Sequence, residues 1–248
     1  MFGLFSKKSS KTGEAFAFSD LAIDMHSHIL PGIDDGSPDL DTSLQLIRGL
    51  QELGYKKLIA TPHVLWDMFR NTPDTIREKL DLVRKAVQKE GIDIEIDAAA
   101  EYFLDEHVNE LLAKKERLLT ISGNKVLFEF SMAYPPFNVK DTLFEMQMQG
   151  YEPVFVHPER YSYLLRNKEF YDEMKEIGCT FQLNILSLSG QYGKGVTELS
   201  HHLLKKDYYD LLGTDLHHSN HLALLRQFHT GLFPAGFEFE GRFINNRL

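Results

Sequence analysis

The chain has a single cysteine, Cys179, in 248 residues. A disulfide within the chain is therefore excluded, and so is a zinc site built from several thiolates. No apolar run approaches the length needed to cross a bilayer. The opening MFGLFSKKSS is too short and too polar for a signal peptide, because Lys7, Lys8, Ser9 and Ser10 break any apolar stretch. Basic residues are in deficit: 27 Lys and Arg face 36 Asp and Glu, for a formal net charge of −9. That balance weighs against general nucleic-acid binding. No GxGxxG follows the first apolar run, so a dinucleotide-binding sheet has no support. These absences leave a cytoplasmic protein without a transmembrane segment as the expectation.

What is present is a regular alternation. Residues 1–18 lack periodicity, since KKSSKTGE is polar throughout, and they read as a flexible leader. Its MFGLFSKK start mixes aromatics with lysines and suits contact with an anionic membrane or a partner; disorder is the simpler reading. Residues 19–248 read as one domain. Seven apolar runs of strand length recur: LAIDM, KKLIAT, IDIEIDAAA, KVLFEFS, PVFVH, TFQLNIL and YDLLGTDL. Helical spacing fills the gaps. Ser37-Pro38 marks a helix start as N-cap and first residue, with Gly54 as its end. Residues 74–90, 140–149 and 167–177 are closed by Gly91, Gly150 and Gly178, as left-handed terminators. Strands separated by helices pair in parallel. Seven such units form either an open doubly wound sheet or a closed barrel.

Chemistry-bearing residues fall where these runs end. His26 and His28 follow LAIDM, His63 follows LIAT, and Glu101 follows IDAAA. Glu129 sits inside VLFEFS; His157, Glu159 and Arg160 follow PVFV; Asp215 and His217 follow LLGT. TFQLNIL offers Asn184. In parallel α/β folds the C-terminal strand ends gather on one face, where sites are built. A lone histidine near a strand end is usually structural. Glu129 is harder to set aside, because an unpaired buried charge costs several kcal/mol, about 3–5 when its partner is removed. No lysine or arginine is its obvious partner in the sequence, and a metal would serve. His26 and His28, two residues apart on a strand, point to the same side and can share one ion. Imidazoles with carboxylates suit zinc, manganese or iron. So many ligands imply several ions, about 3.5–4 Å apart, able to activate water and clamp a phosphate.

The set HSHILPGIDDG, TPH, AEYF, FEFS, HPERY and TDLH resembles the PHP (polymerase and histidinol phosphatase) superfamily. It is most similar to the branch of bacterial metal-dependent protein-tyrosine phosphatases of the CpsB/YwqE type. The resemblance runs from about Asp20 to His218. It implies a distorted (β/α)7 TIM-like barrel with three divalent ions at the strand ends, most often manganese, with zinc or iron as alternatives. His26, His28 and Asp215 would bind the first ion. Glu101 would bridge it to the second, which Glu129 and His157 complete. Asp35, His63 and His217 would hold the third, with Asp34 competing for the role of Asp35. Glu101 and His157 would serve catalysis through the metals, and Arg160 would bind the substrate phosphate. The activity implied is hydrolysis of phosphotyrosine by direct attack of a metal-bridging hydroxide. The implied partner is a phosphotyrosine protein, the tail of a bacterial tyrosine kinase of capsule or exopolysaccharide synthesis; an oligomer is compatible with this. Two rivals remain: a small-molecule phosphatase of the histidinol-phosphate type, and a non-catalytic PHP scaffold, which should lack ligands that are all present here.

Other phosphatase chemistries fail on inspection. A cysteine-dependent enzyme needs C-x5-R, but Cys179 is followed six positions later by Ile185. DLDTS (39–43) resembles an aspartate-nucleophile motif, yet it opens a helix instead of following a strand. GQYGKG (190–195) matches no P-loop and reads as a mobile loop near the site. His107 reads as a residue of a solvated helix face, His201 and His202 as residues of a helix without nearby carboxylate ligands and His229 as a late helix residue, while His218 and His221 flank the last motif, in a position to line the cleft. The closing FPAGFEFEGRFINNRL reads as packing across the barrel, or as an interface.

Overall fold

The structure, a computed structural model, describes residues 17–134, 137–235, 237–239 and 241–248. In chain order it contains α1 (Phe18–Leu21), β1 (Ile23–Ser27), α2 (Leu40–Leu53), β2 (Lys57–Ala60), β3 (His63–Val64), α3 (Pro73–Lys89), β4 (Glu95–Ala98) and β5 (Glu101–Phe103). There follow α4 (Glu106–Ala113), β6 (Lys125–Glu129), α5 (Val139–Met148), β7 (Glu152–Val156), α6 (Lys168–Ile177), β8 (Thr180–Asn184), α7 (Lys194–Lys205), β9 (Tyr209–Gly213) and α8 (Ser219–Arg226). Short 3-10 turns follow β7 and β8.

All strand pairings are parallel, in two runs: β1-β2-β4 and β3-β5-β6-β7-β8-β9. The runs are halves of one barrel. β2 and β3 are a single strand position interrupted at Thr61-Pro62, and β4 and β5 another interrupted at Ala99-Ala100. Pro62 has no N–H to give the ladder, but its carbonyl accepts from Glu101 N at 3.1 Å and keeps the pairing in register. Counting each broken strand once leaves the seven positions expected from the apolar runs. The ring closes between β9 and β1, where His28 N donates to Leu216 O (2.9 Å) and Asp215 N to His26 O (2.8 Å). So few ladder bonds need side-chain help. Buried Asp24 accepts from the Thr214 amide at 3.0 Å and hydroxyl at 2.6 Å. Asn245, from the chain's last turn, accepts from Leu212 N and donates to the Ile23 and Leu212 carbonyls across the same seam. The closing segment thus packs on the barrel.

Alternation along the strands makes two apolar layers. Ile23, Met25, Ile59, Ala99, Leu127, Val154, Val156 and Leu211 form an inner cluster. Val126, Phe128, Phe155, Phe181 and Leu212 belong to the larger cluster shared with the helices. In α3, Ile76, Leu80, Val83 and Val87 are buried at helical spacing, which lays one stripe on the strands.

Local signals deviate in a few places. The N-cap of α2 is Asp39, not Ser37: its carboxylate accepts from Thr42 N at 2.8 Å, while the Ser37 hydroxyl donates to Asp39 O. The anionic cap at the correct offset wins over the serine two residues earlier. Gly54 and Gly178 end α2 and α6 in left-handed conformation, as expected. Residues 1–16 of the expected leader lie outside the described residues. Its last residue, Phe18, belongs to α1 and is buried against the core, so residue 18 is part of the packed domain and not of a flexible leader.

Candidate metal centre

Five imidazoles and four carboxylates converge at the C-terminal strand ends, as four overlapping groups. These are His26, His28 and Glu101; His26, His157 and Asp215; His63, Glu101 and Glu129; and His28, Asp35, His63 and His217. Within a group the ligand atoms all lie within 4.8 Å of one another. All nine residues anticipated as ligands are present. The grouping differs from the expected allocation: Glu129 falls with His63 (2.9 Å) and Glu101, His157 falls with His26 and Asp215, and His28 falls with Asp35, His63 and His217 as well as with His26 and Glu101.

Backbone strain and close packing aim these side chains. His157 and Asp215, each just beyond a strand end, have φ of 35° and 51°. A non-glycine residue held at positive φ costs roughly 1–2 kcal/mol. The turn swings both side chains back over the barrel mouth. At Gly213 an added Cβ would lie 2.9 Å from the Cβ of His26 and 2.7 Å from Gln182 Nε2. Only glycine lets β9 pass that close to His26.

Partners fix which nitrogen of each ring faces the centre. His26 Nδ1 meets Gln182 Oε1 at 3.0 Å, and His28 Nδ1 meets Asp34 Oδ2 at 2.8 Å. The two Nε2 atoms are left facing each other at 3.3 Å. Such outer partners set tautomer and orientation. Asp34 is buried behind His28 and also accepts from Gly36 N, whereas the exposed Asp35 carboxylate faces His63 and His217 at 3.4 and 3.5 Å. The adjacent aspartates therefore divide: Asp35 joins the converging group and Asp34 orients it. Gln182 was not anticipated. Its signal was present, since it lies two residues before Asn184 on one face of an otherwise apolar strand.

Electrostatics test whether cations fit. Burial opposes charge on Glu101, yet His26, His63 and His157 outweigh it and hold the carboxyl well below its usual range. Asp215 is likewise held well below, by His217, His26, His28 and Arg160 against burial. His28 and His63 are held well above the ordinary imidazole range against burial, chiefly by Asp34 and Asp215 for the former and by Glu101 and Glu129 for the latter. The cluster thus demands positive charge at its centre. Protons satisfy that demand poorly. His63 Nδ1 lies 2.9 and 3.1 Å from two carboxylate oxygens without a hydrogen bond to either, and His157 Nδ1 is buried without a partner. Nitrogens placed for convergence but not for hydrogen bonding fit metal ions.

Arg160 sits at the edge of this centre. Its Nη1 donates to Asp215 Oδ2 at 2.6 Å, while Asp215 Oδ1 faces His26, His28 and His217 at 3.4–3.5 Å. One carboxylate therefore joins the arginine to the imidazole cluster. Behind it, fully buried Glu159 accepts from Asn184 N, the Ser187 hydroxyl and the Tyr209 hydroxyl, tying the turn that carries Arg160 to β8 and β9.

The remaining histidines stay outside the groups. His107 is half-buried and stacks on Trp66, ring centres 3.8 Å apart, instead of lying on a solvated face. His201 contacts the Leu232 carbonyl. His218 caps α8, and burial with nearby His218 pushes His221 down to about 4. Cys179 lies at the entry of β8, at the opposite end of the barrel, and burial pushes its thiol up to about 12. A thiolate nucleophile needs the reverse. Cys179→Ser should therefore keep turnover within about twofold, since it alters only a buried apolar contact. Loss of turnover in a folded, metal-replete variant would show that the thiol takes part.

A family model for capsular polysaccharide synthesis, CpsB/CapC, matches residues 22–224. Tyrosine-protein phosphatase YwqE of Bacillus subtilis is 32% identical over 209 residues, covering 84% of this chain and 80% of that protein. Tyrosine-protein phosphatase CpsB of Streptococcus pneumoniae is 28% identical over 79% of this chain and 82% of its own length. A solved structure, from work describing YwqE and CpsB as unique metal-dependent tyrosine phosphatases, superposes with a TM-score of 0.75 at 29% identity. It covers 85% of this chain and 89% of that one. The matched span starts at the strand that delivers His26 and ends beyond the turn that delivers His217, so the likeness and the metal centre rest on the same residues; the chain belongs to the CpsB/CapC family of capsular polysaccharide synthesis.

Proposed function

We infer that this protein is a metal-dependent tyrosine phosphatase of the CpsB/YwqE type. The observation that carries the reading is the nine-residue ring of imidazoles and carboxylates linked to Arg160 through Asp215. Three divalent ions would be held by His26, His28, Asp35, His63, Glu101, Glu129, His157, Asp215 and His217. Glu101 would be shared between ions, since its Oε1 meets His157 at 3.0 Å and its Oε2 meets His26, His28 and His63 at 3.1–3.4 Å. Manganese suits this oxygen-and-imidazole donor set, as do zinc and iron. When bound, the ions activate water and offset charge on a phosphate.

The chain's own residues do the rest. Asp34 and Gln182 hold two imidazoles in their ligating orientation. Arg160 lies at the mouth with 24% of its side chain exposed, where a planar fork matches phosphate oxygens. A tyrosine phenolate leaves with a pKa near 10, so no strongly acidic donor is needed. The substrate is then a phosphotyrosine protein, such as a bacterial tyrosine kinase tail, met in the cytoplasm by a single catalytic domain of residues 19–248.

Turnover on a phosphotyrosine peptide, compared with histidinol phosphate, tests the reading directly. A preference for histidinol phosphate would replace it. Arg160→Ala should weaken phosphate binding and raise KM by about tenfold or more, the loss of a charge-assisted pair, while metal content stays. Metal loss in that variant would make Arg160 a structural partner of Asp215 only.

A further inference from the structure

The stretch GQYGKG connects the 3-10 turn Ile185–Ser189 to α7. Gly190 and Gly193 take φ of 84° and 92°, left-handed values that suit glycine. Between them the loop turns back and lays the ring of Tyr192 over Arg160, with the guanidinium carbon 4.4 Å from the ring centre. The Tyr192 hydroxyl accepts from Asn184 Nδ2 at 3.3 Å. That same nitrogen donates to Asp215 Oδ2 at 2.9 Å, the oxygen that also accepts from Arg160. Arg160 is thus gripped on one edge by a carboxylate and on one face by an aromatic ring. Among the described residues no other acceptor engages the guanidinium. A free arginine side chain is rotamer-rich, and holding it against a ring reduces the freedom lost when it meets a ligand.

We propose that Tyr192 is a positioning residue for phosphate recognition: its ring, laid against the Arg160 guanidinium, holds that group so that its unused N–H donors face the substrate phosphate. The proposal rests on the phosphatase reading for its substrate. It assigns a use to the glycine-bounded loop, which carries the ring to its place. Tyr192 does not touch the reacting atoms and acts through Arg160.

The test uses the full-length, metal-loaded protein. Tyr192→Leu should raise KM for a phosphotyrosine peptide, and the dissociation constant of inorganic phosphate, by about tenfold, within the range of a desolvated cation–π contact. Its kcat and metal content should change little. Tyr192→Phe keeps the ring and should restore both constants to near wild type. In an Arg160→Ala background, Tyr192→Leu should add no further loss. Multiplying effects in the two backgrounds would overturn the proposal, because Tyr192 would then act independently of Arg160. Loss of metal or of kcat in Tyr192→Leu, or failure of Tyr192→Phe to restore binding, would overturn it as well. Phosphate binding by calorimetry decides the matter without turnover. A metal-replete wild type that binds phosphate through Arg160 and Tyr192 but leaves phosphotyrosine intact would sink the phosphatase reading and leave this one standing.

Discussion

Exhaustive chelation should abolish phosphotyrosine turnover and lower the melting temperature, and divalent metal should restore both. The reason is the charge balance at the barrel mouth. Glu101 and Asp215 are buried and held ionised only by neighbouring positive charge. Stripped of metal, the site relies on protonated His28 and His63 to supply it. The direction of the pH effect follows. Imidazoles with raised pKa stabilise the metal-free fold at low pH and lose that contribution as pH rises through their folded values. The lowered carboxylates contribute above their ordinary range and lose it only on strong acidification. The metal-free protein should therefore weaken over the interval that begins near the ordinary imidazole value of about pH 6.5 and runs upward, while the loaded protein should not, because deprotonated imidazoles bind metal better. The gap in melting temperature between the two should widen over that interval, and loading at neutral pH should release protons, measurable by calorimetry in buffers of different ionisation enthalpy. Full turnover after chelation, with absence of metal confirmed, would falsify the metal-dependent mechanism.

Glu101→Gln should cost at least about 100-fold in turnover and deplete bound metal, a larger loss than removing an outer orienting group. Among the described residues no other side chain contacts as many of the converging imidazoles: His26, His28, His63 and His157 all lie within 3.4 Å of its oxygens. Glutamine keeps the shape but removes the charge that holds those rings together and offers a donor where an acceptor is required. The fold should persist, since the neighbouring strand pairing from Glu101 to Leu127 is carried by backbone. Elemental analysis beside steady-state kinetics separates the two effects. Full metal content with turnover within about twofold of wild type would remove Glu101 from the bridging position.

Much of this centre was legible in the chain because strand ends are legible. Apolar runs of strand length, each followed by a histidine or carboxylate, locate one ligand per strand without any knowledge of tertiary contacts. Glu129 announced itself as a charge inside VLFEFS, and the structure sets it against His63. The single cysteine and the missing glycine-rich fingerprint removed whole classes of chemistry from composition alone. Helix ends at Gly54 and Gly178 were equally local, since a left-handed terminator depends on its own backbone.

What the sequence left open depends on distances between segments far apart in the chain. Asp34 and Asp35 are neighbours with the same chemistry, and only the fold separates them, burying one behind His28 and turning the other toward His63 and His217. The allocation of Glu129 and His157 to groups follows from barrel geometry, which no spacing within a segment encodes. Closure of the barrel rests on Asp24 with Thr214 and on Asn245, pairings between the two ends of the chain. The role of GQYGKG is of the same kind. Its glycines show that the chain turns there, but only the packed structure sets the Tyr192 ring against Arg160, because that contact joins the ends of two different strands. Local propensity and composition thus determined the elements, the ligand types and the excluded chemistries; long-range packing decided which atoms meet.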